Sequence, residues 1–356
     1  MSKILKPSIY WLLIFIVVTF VLESMHASSS VIFFAAALSI IPIAKGIGSS
    51  TEKLAVFTGP TVGSLLNATF GNAPELIICI VALKAGMYEI VLAAITGAVM
   101  SNLLLGMGVS FTFGGLKHHT QSFNVQSIRL YATIMFIAVI SMAIPSGFSN
   151  YIADKEGLFE NAVSINIGFA VVLLIAYGLY LLFMLKTHKE IFKSEEEEEE
   201  SPKGKMYIPL AMLALFSVGA AFMGEAIVGV AEEAGKEMGM TTTFVSLVFI
   251  SIVGGAAETF SAVEMAGKNK TDLSVGILMG SCIQLTLFVA PVLVLLSFAI
   301  GPTPMFLAFT KLEINILMIS VFITMIISAD GNSNWFKGVQ LIVMYLLMAI
   351  TLYFLE

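Results

Sequence analysis

Apolar runs long enough to cross a bilayer, about twenty residues each, follow one another along the 356-residue chain. The pattern predicts eleven spans, at roughly 8–25, 29–50, 58–84, 88–115, 126–146, 162–186, 207–231, 242–267, 272–299, 304–327 and 335–355. The connections are mostly short and leave no room for a separate soluble domain. One longer polar interval, 187–206, contains KSEEEEEESPKGK, in which Glu195, Glu196, Glu197, Glu198, Glu199 and Glu200 form an unbroken acidic run ended by Pro202 and Gly204. That run reads as a solvated cytosolic linker or helix. The alternative is a regulatory, cation-sensing segment.

Composition supports the same class. The chain is 58% apolar and 12% charged, with mean hydropathy +0.96, whereas a soluble domain carries about 25% charged residues. The expected fold is an all-α polytopic membrane protein. The net charge of −6 is dominated by the six-residue acidic run. Cys79 and Cys282 lie in apolar segments and read as core residues, not a disulfide. Lys3 and Lys6 ahead of the first apolar run resemble a signal peptide or a start anchor. A retained span is expected, because many further spans follow.

Counting Lys and Arg in alternate loops places fourteen on one side, among them Lys45, Lys53, Lys117 and Lys268. Only Lys84, Lys155, Lys236 and Lys311 fall on the other. Basic residues accumulate on the cytoplasmic side. The amino terminus is therefore expected inside and, after eleven spans, the carboxyl terminus outside.

Two spans carry a buried-looking glutamate in matched surroundings. In ATFGNAPEL, Gly71 stands four residues before Glu75; in VFISIVGGAAETFSAV, Gly254 stands four before Glu258. Twenty-two residues beyond each glutamate lies a glycine, Gly97 or Gly280, followed by an amide, Asn102 or Gln284. The glutamates fall in the third and eighth spans. An odd separation makes the two copies cross in opposite senses, the mark of inverted repeats with ion sites near midplane.

Ionisable residues within a membrane usually mark an ion path. Two converging carboxylates cannot both stay ionised without a cation between them; otherwise at least one protonates. That alternation is the chemical requirement for exchanging a cation against protons. Calcium takes six to eight oxygens from carboxylates, amides, backbone carbonyls and water. Glu75, Glu258, Asn102 and Gln284 are the expected ligands. Gly71, Pro74, Gly254 and Gly255 would weaken the helices there and free backbone carbonyls. Manganese also accepts oxygen ligands. No His/Cys set accompanies the pair.

Other polar residues carry less. Glu52 and Glu225 each open a short apolar run and suit a proton path or a surface position equally. His118 and His119 read as a loop pair, Glu313 and Asp330 as span-end acids, and the twenty methionines as filler.

The stretches LLNATFGNAPELIICIVALKAG and GGAAETFSAVEMAGKNKTDLSVGILMGSCIQ resemble the two signature regions of the calcium/proton exchanger family, part of the cation/calcium antiporter superfamily. The likeness extends along essentially the whole chain. It implies one peripheral helix (1–28), a first five-helix repeat (29–186), the cytosolic acidic segment (187–206) and a second, inverted repeat (207–356). By position, Glu75 and Glu258 match the family's exchange glutamates, and Asn102 and Gln284 its amide positions. The family usually has Asn three residues before both glutamates and His after the second. Here Asn72 is present, but Gly255 and Thr259 occupy the other two places.

The expected function is secondary antiport of cytosolic calcium against external protons, in a prokaryotic inner membrane. No cofactor is expected beyond the transported ions. The expected partners are lipid and the cation, with a homo-oligomer open and no nucleic acid. Two alternatives remain. One is the same fold carrying another cation, such as sodium or potassium against protons or sodium against calcium. The other is an intramembrane hydrolase using two acids.

Overall fold

The computed structural model describes residues 8–58, 66, 69–153, 159–191 and 205–355. The described residues form twelve principal helices. They are α1 (Ile9–Ser24), α2 (Ser29–Thr58), α3 (Ala73–Lys84), α4 (Tyr88–His118), α5 (Val125–Ala153), α6 (Phe159–Leu182) and α7 (Tyr207–Met238). They continue with α8 (Thr242–Gly254), α9 (Ala256–Gly267), α10 (Thr271–Ile300), α11 (Lys311–Ser328) and α12 (Trp335–Leu355).

Eight of these are long and apolar enough to cross a membrane, and α8 with α9 forms a ninth candidate bent by 51°. The first expected span appears as the shorter helix α1. The expected span 58–84 is described as helix only from Ala73, apart from short fragments, because most of 59–68 lies outside the described residues. The acidic run Glu195–Glu200 also lies outside them. The span expected from 304 begins at Lys311 instead, where Thr310 and Glu313 form a reciprocal capping box that satisfies first-turn N–H groups. Ahead of it, 304–310 has no regular secondary structure and is buried at Met305, Leu307 and Phe309. Its backbone bonds to side chains instead of to a helix: Asn166 donates to Met305 O (2.8 Å) and accepts from Leu307 N (3.1 Å).

The long pair α2 and α7 pack along one another. Gly239, left-handed at φ 68°, ends α7. Helix α4 is almost wholly enclosed by its neighbours, whereas α6 and α12 leave most of their surface free. Helix α3 lies against α7 and the second half of α10, and α9 lies against α2 and the second half of α4. The all-α expectation needs one correction. Strands β1 (Thr120–Ser122) and β2 (Asn332–Asn334) pair antiparallel and tie the end of α4 to the start of α12.

Candidate cation site

The two glutamates occupy matching positions at helix starts. Helix α3 begins after a turn at Gly71 and Asn72; α9 begins after the break at Gly255. Both helices are 12 residues long, and the glutamate is the third residue of each. Each carboxylate therefore sits where first-turn N–H groups carry positive potential. Pro74 does not break a helix, as its place in the apolar run suggests. It sits in the first turn of α3, where its missing N–H has no partner to lose.

The structure brings the two acids within electrostatic reach of one another. Glu75 is 6% exposed, and neither of its carboxylate oxygens has a hydrogen-bond partner among the described residues. Glu258 is partly exposed, with Oε2 buried and likewise unpartnered. A cavity with about 10 Å³ of space for a water-sized particle lies beside Glu75, bordered by Cys79, Ser251 and Gly254. Burying carboxylate oxygens with no donor is costly, so the arrangement suits a cation or protons at those oxygens.

An amide network crosses from one half of the chain to the other. Asn72 Nδ2 donates to Gln284 Oε1 (2.7 Å) and to Ser281 O (3.3 Å). Ser281 Oγ donates to Asn72 Oδ1 (2.6 Å) and accepts from Asn102 Nδ2 (2.9 Å). Among the described residues, buried Asn102 Oδ1 has no partner, whereas Gln284 Oε1 accepts from Asn72 and its Nε2 has none. Of the two expected amide oxygens, that of Gln284 thus accepts from Asn72, whereas that of Asn102 has no donor among the described residues. Ser281, which sequence reasoning passed over, holds the network together. Its signal was a hydroxyl in the same turn as Gln284.

The glycines act by close approach. A Cβ on Gly254 would lie 3.0 Å from Glu75 Cγ, and one on Gly255 would lie 2.9 Å from Asn102 Oδ1. Thr259 packs its hydroxyl toward Gly106, whose Cβ would lie 3.0 Å from it. Three wider-wound π-helical stretches flank the site: Val245–Ile250 in α8, Ser101–Gly106 in α4, which contains Asn102, and Leu285–Val289 in α10, immediately after Gln284. Such stretches are frequent at functional sites.

The remaining candidates lie apart from this centre. Glu52 and Glu225 are exposed; Glu52 is within electrostatic reach of Glu264, Lys45 and Lys53. His118 closes α4, its Nε2 at 3.0 Å from Gly267 O, beside Lys117 Nζ on the same carbonyl. Asp330 pairs with Lys337 (2.6 Å). Cys79 and Cys282 are buried and free.

The sodium/calcium exchanger protein profile matches residues 28–186 and, again, residues 208–354. The chain belongs to the sodium/calcium exchanger protein family. Within this exchanger family it is 37% identical to the Ca(2+)/H(+) antiporter of Aphanothece halophytica, over 98% of this chain and 97% of that protein. It is 39% identical to the Ca(2+)/H(+) antiporter ChaA of Bacillus subtilis (strain 168), over 93% and 94%. The solved structure of native YfkE superimposes with a TM-score of 0.83 at 34% identity, covering 98% of this chain and all of that one (100%).

Proposed function

We propose that this exchanger-family protein is a secondary antiporter that moves calcium out of the cytosol in exchange for protons. Glu75 and Glu258 hold the cation and the protons in turn. The observation that carries the reading is the pair of carboxylates at matched helix starts, with three buried oxygens that no donor among the described residues satisfies. A divalent cation neutralises both charges; protons on the two acids remove the need for it. Occupancy is then mutually exclusive, which couples the two fluxes. The printed names of the antiporters from Aphanothece halophytica and Bacillus subtilis support calcium and protons as the exchanged ions.

Eleven crossings, one peripheral helix and two inverted five-helix repeats, complete the proposal. Alternating exposure of the site by movement of one repeat against the other would carry the ions across. The profile that matches twice and the reciprocal packing of α3 on α7 and α9 on α2 support the repeats. The lysine and arginine asymmetry supports a cytoplasmic amino terminus and an external carboxyl terminus. Glu52 and Glu225, exposed on the long pair α2 and α7, suit proton approach to the two mouths.

The test is calcium uptake into inverted vesicles under an imposed proton gradient. Glu75→Gln and Glu258→Gln should each abolish it. Uptake that persists in both variants refutes the assignment. A second reading, a different cation on the same fold, is favoured by Gly255 and Thr259. Gly255 offers no side-chain ligand, and the Thr259 hydroxyl is turned to Gly106. A cation panel in the same vesicles decides between them, because a signal confined to monovalent ions excludes calcium.

A further inference from the structure

We infer that Ser281 and Gly255 select which amide oxygen reads the cation: Ser281 turns the Asn102 carbonyl oxygen into the site, Gly255 leaves room for it, and Gln284 serves only as a brace. This inference rests on the proposed cation site at Glu75 and Glu258.

The polarity of the network follows from donor and acceptor capacity. The Ser281 backbone carbonyl can only accept, and Asn72 Nδ2 lies 3.3 Å from it. Its NH2 end therefore faces that carbonyl and Gln284 Oε1, and its oxygen faces the Ser281 hydroxyl. The hydroxyl has one proton, donated to Asn72 Oδ1 at 2.6 Å. Toward Asn102 it can only accept, so the Asn102 NH2 end must face it, at 2.9 Å. Asn102 Oδ1 is thereby turned away, with no donor among the described residues.

A buried carbonyl oxygen without a donor is costly to leave unpaired. It is also a ligand type that calcium takes. The same relay leaves the Gln284 NH2 end with no acceptor among the described residues, and an NH2 end repels a cation.

Gly255 completes the selection. A Cβ there would stand 2.9 Å from Asn102 Oδ1, closer than carbon and oxygen pack. Any side chain at 255 would push the Asn102 amide from its place. At the equivalent position ahead of Glu75 stands Asn72, which holds Gln284. The two halves therefore differ in function: one supplies the brace and the other vacates space for the ligand.

The experiment measures the calcium KM and kcat of proton-driven uptake, together with equilibrium calcium binding to the purified full-length protein. Ser281→Ala and Gly255→Ala should each raise KM about tenfold, the usual scale for losing a partner that orients a ligand, with kcat largely kept. Ser281→Thr retains the hydroxyl and should restore KM. Asn102→Ala should raise KM more than Gln284→Ala. An unchanged KM in both Ser281→Ala and Gly255→Ala, or a Gln284→Ala effect as large as that of Asn102→Ala, overturns this inference and leaves the exchange reading standing. Unsubstituted protein that neither binds nor transports calcium overturns both.

Discussion

Replacing Gly97 by alanine should damage the protein, whereas the same change at Gly280 should be tolerated or help. The two glycines are equivalent by spacing, each twenty-two residues beyond its glutamate. Their surroundings differ. A Cβ on Gly97 would meet the carbonyl oxygen of Leu247 and lie 2.6 Å from its carbonyl carbon and 2.8 Å from its Cα. Contacts between such atoms are comfortable at about 3.5–4.0 Å, so α4 and α8 would have to separate by about 1 Å. Both sides of the contact are backbone, and no rotamer change can relieve it. Overpacking of a well-packed core costs about 1–3 kcal/mol, and this case belongs at the upper end. Alanine's advantage over glycine in a helix returns only about 1 kcal/mol, so the net effect is destabilising. At Gly280 no atom of the described residues lies within 4 Å of the added carbon, and the helix-propensity gain stands alone. The assay is thermal unfolding of the two purified variants in detergent, followed by size-exclusion recovery, with calcium uptake in vesicles. Gly97→Ala should melt lower and transport poorly, since Asn102 lies five residues further along the displaced helix. A Gly97→Ala protein as stable and active as the unsubstituted one would refute the close-approach argument.

Further outcomes follow from the same geometry. Asn166→Ala should cost about 3 kcal/mol, because it strands Met305 O and Leu307 N in the buried irregular segment at about 1–3 kcal/mol each; a thermal melt no lower than that of the unsubstituted protein would count against it. The Lys337 ammonium beside Asp330 holds that carboxyl below its ordinary value. A lowered folded-state value stabilises above the unfolded one, about 3.9, and the contribution is lost as pH falls through the depressed value. With Asp330 more than half exposed, the pair is worth under about 1 kcal/mol. The melting difference between the unsubstituted protein and Lys337→Met should be small at pH 7 and vanish at strongly acid pH; a difference that grows on acidification contradicts the pairing. Gly254→Ala should raise the calcium KM, since its Cβ would press on Glu75 Cγ at 3.0 Å; uptake kinetics identical to those of the unsubstituted protein would argue against that seat.

Hydropathy, the placement of Lys and Arg, and the repeated glutamate motif were readable from the chain because each depends on local order along it. Twenty apolar residues specify a helix in lipid whatever surrounds them, since the backbone must satisfy itself. The matched helix-start positions of Glu75 and Glu258 were equally legible, because equal spacing in two halves survives any folding of the connections. The α11 boundary was not: 304–310 is as apolar as a helix, but Asn166 reaches across from α6 to take its backbone hydrogen bonds.

At the site, matched spacing beyond the glutamates named the amides but not their direction. Asn102 and Gln284 are both carbonyl-bearing side chains near a carboxylate, and nothing in their order along the chain distinguishes them. Only the tertiary contact between Asn72 and Ser281, 209 residues apart, sets donors against acceptors, engages one amide oxygen and frees the other. Gly97 and Gly280 differ for the same reason. Spacing along the chain made them look alike, and packing between helices far apart in sequence decided that only one has a backbone pressed against it.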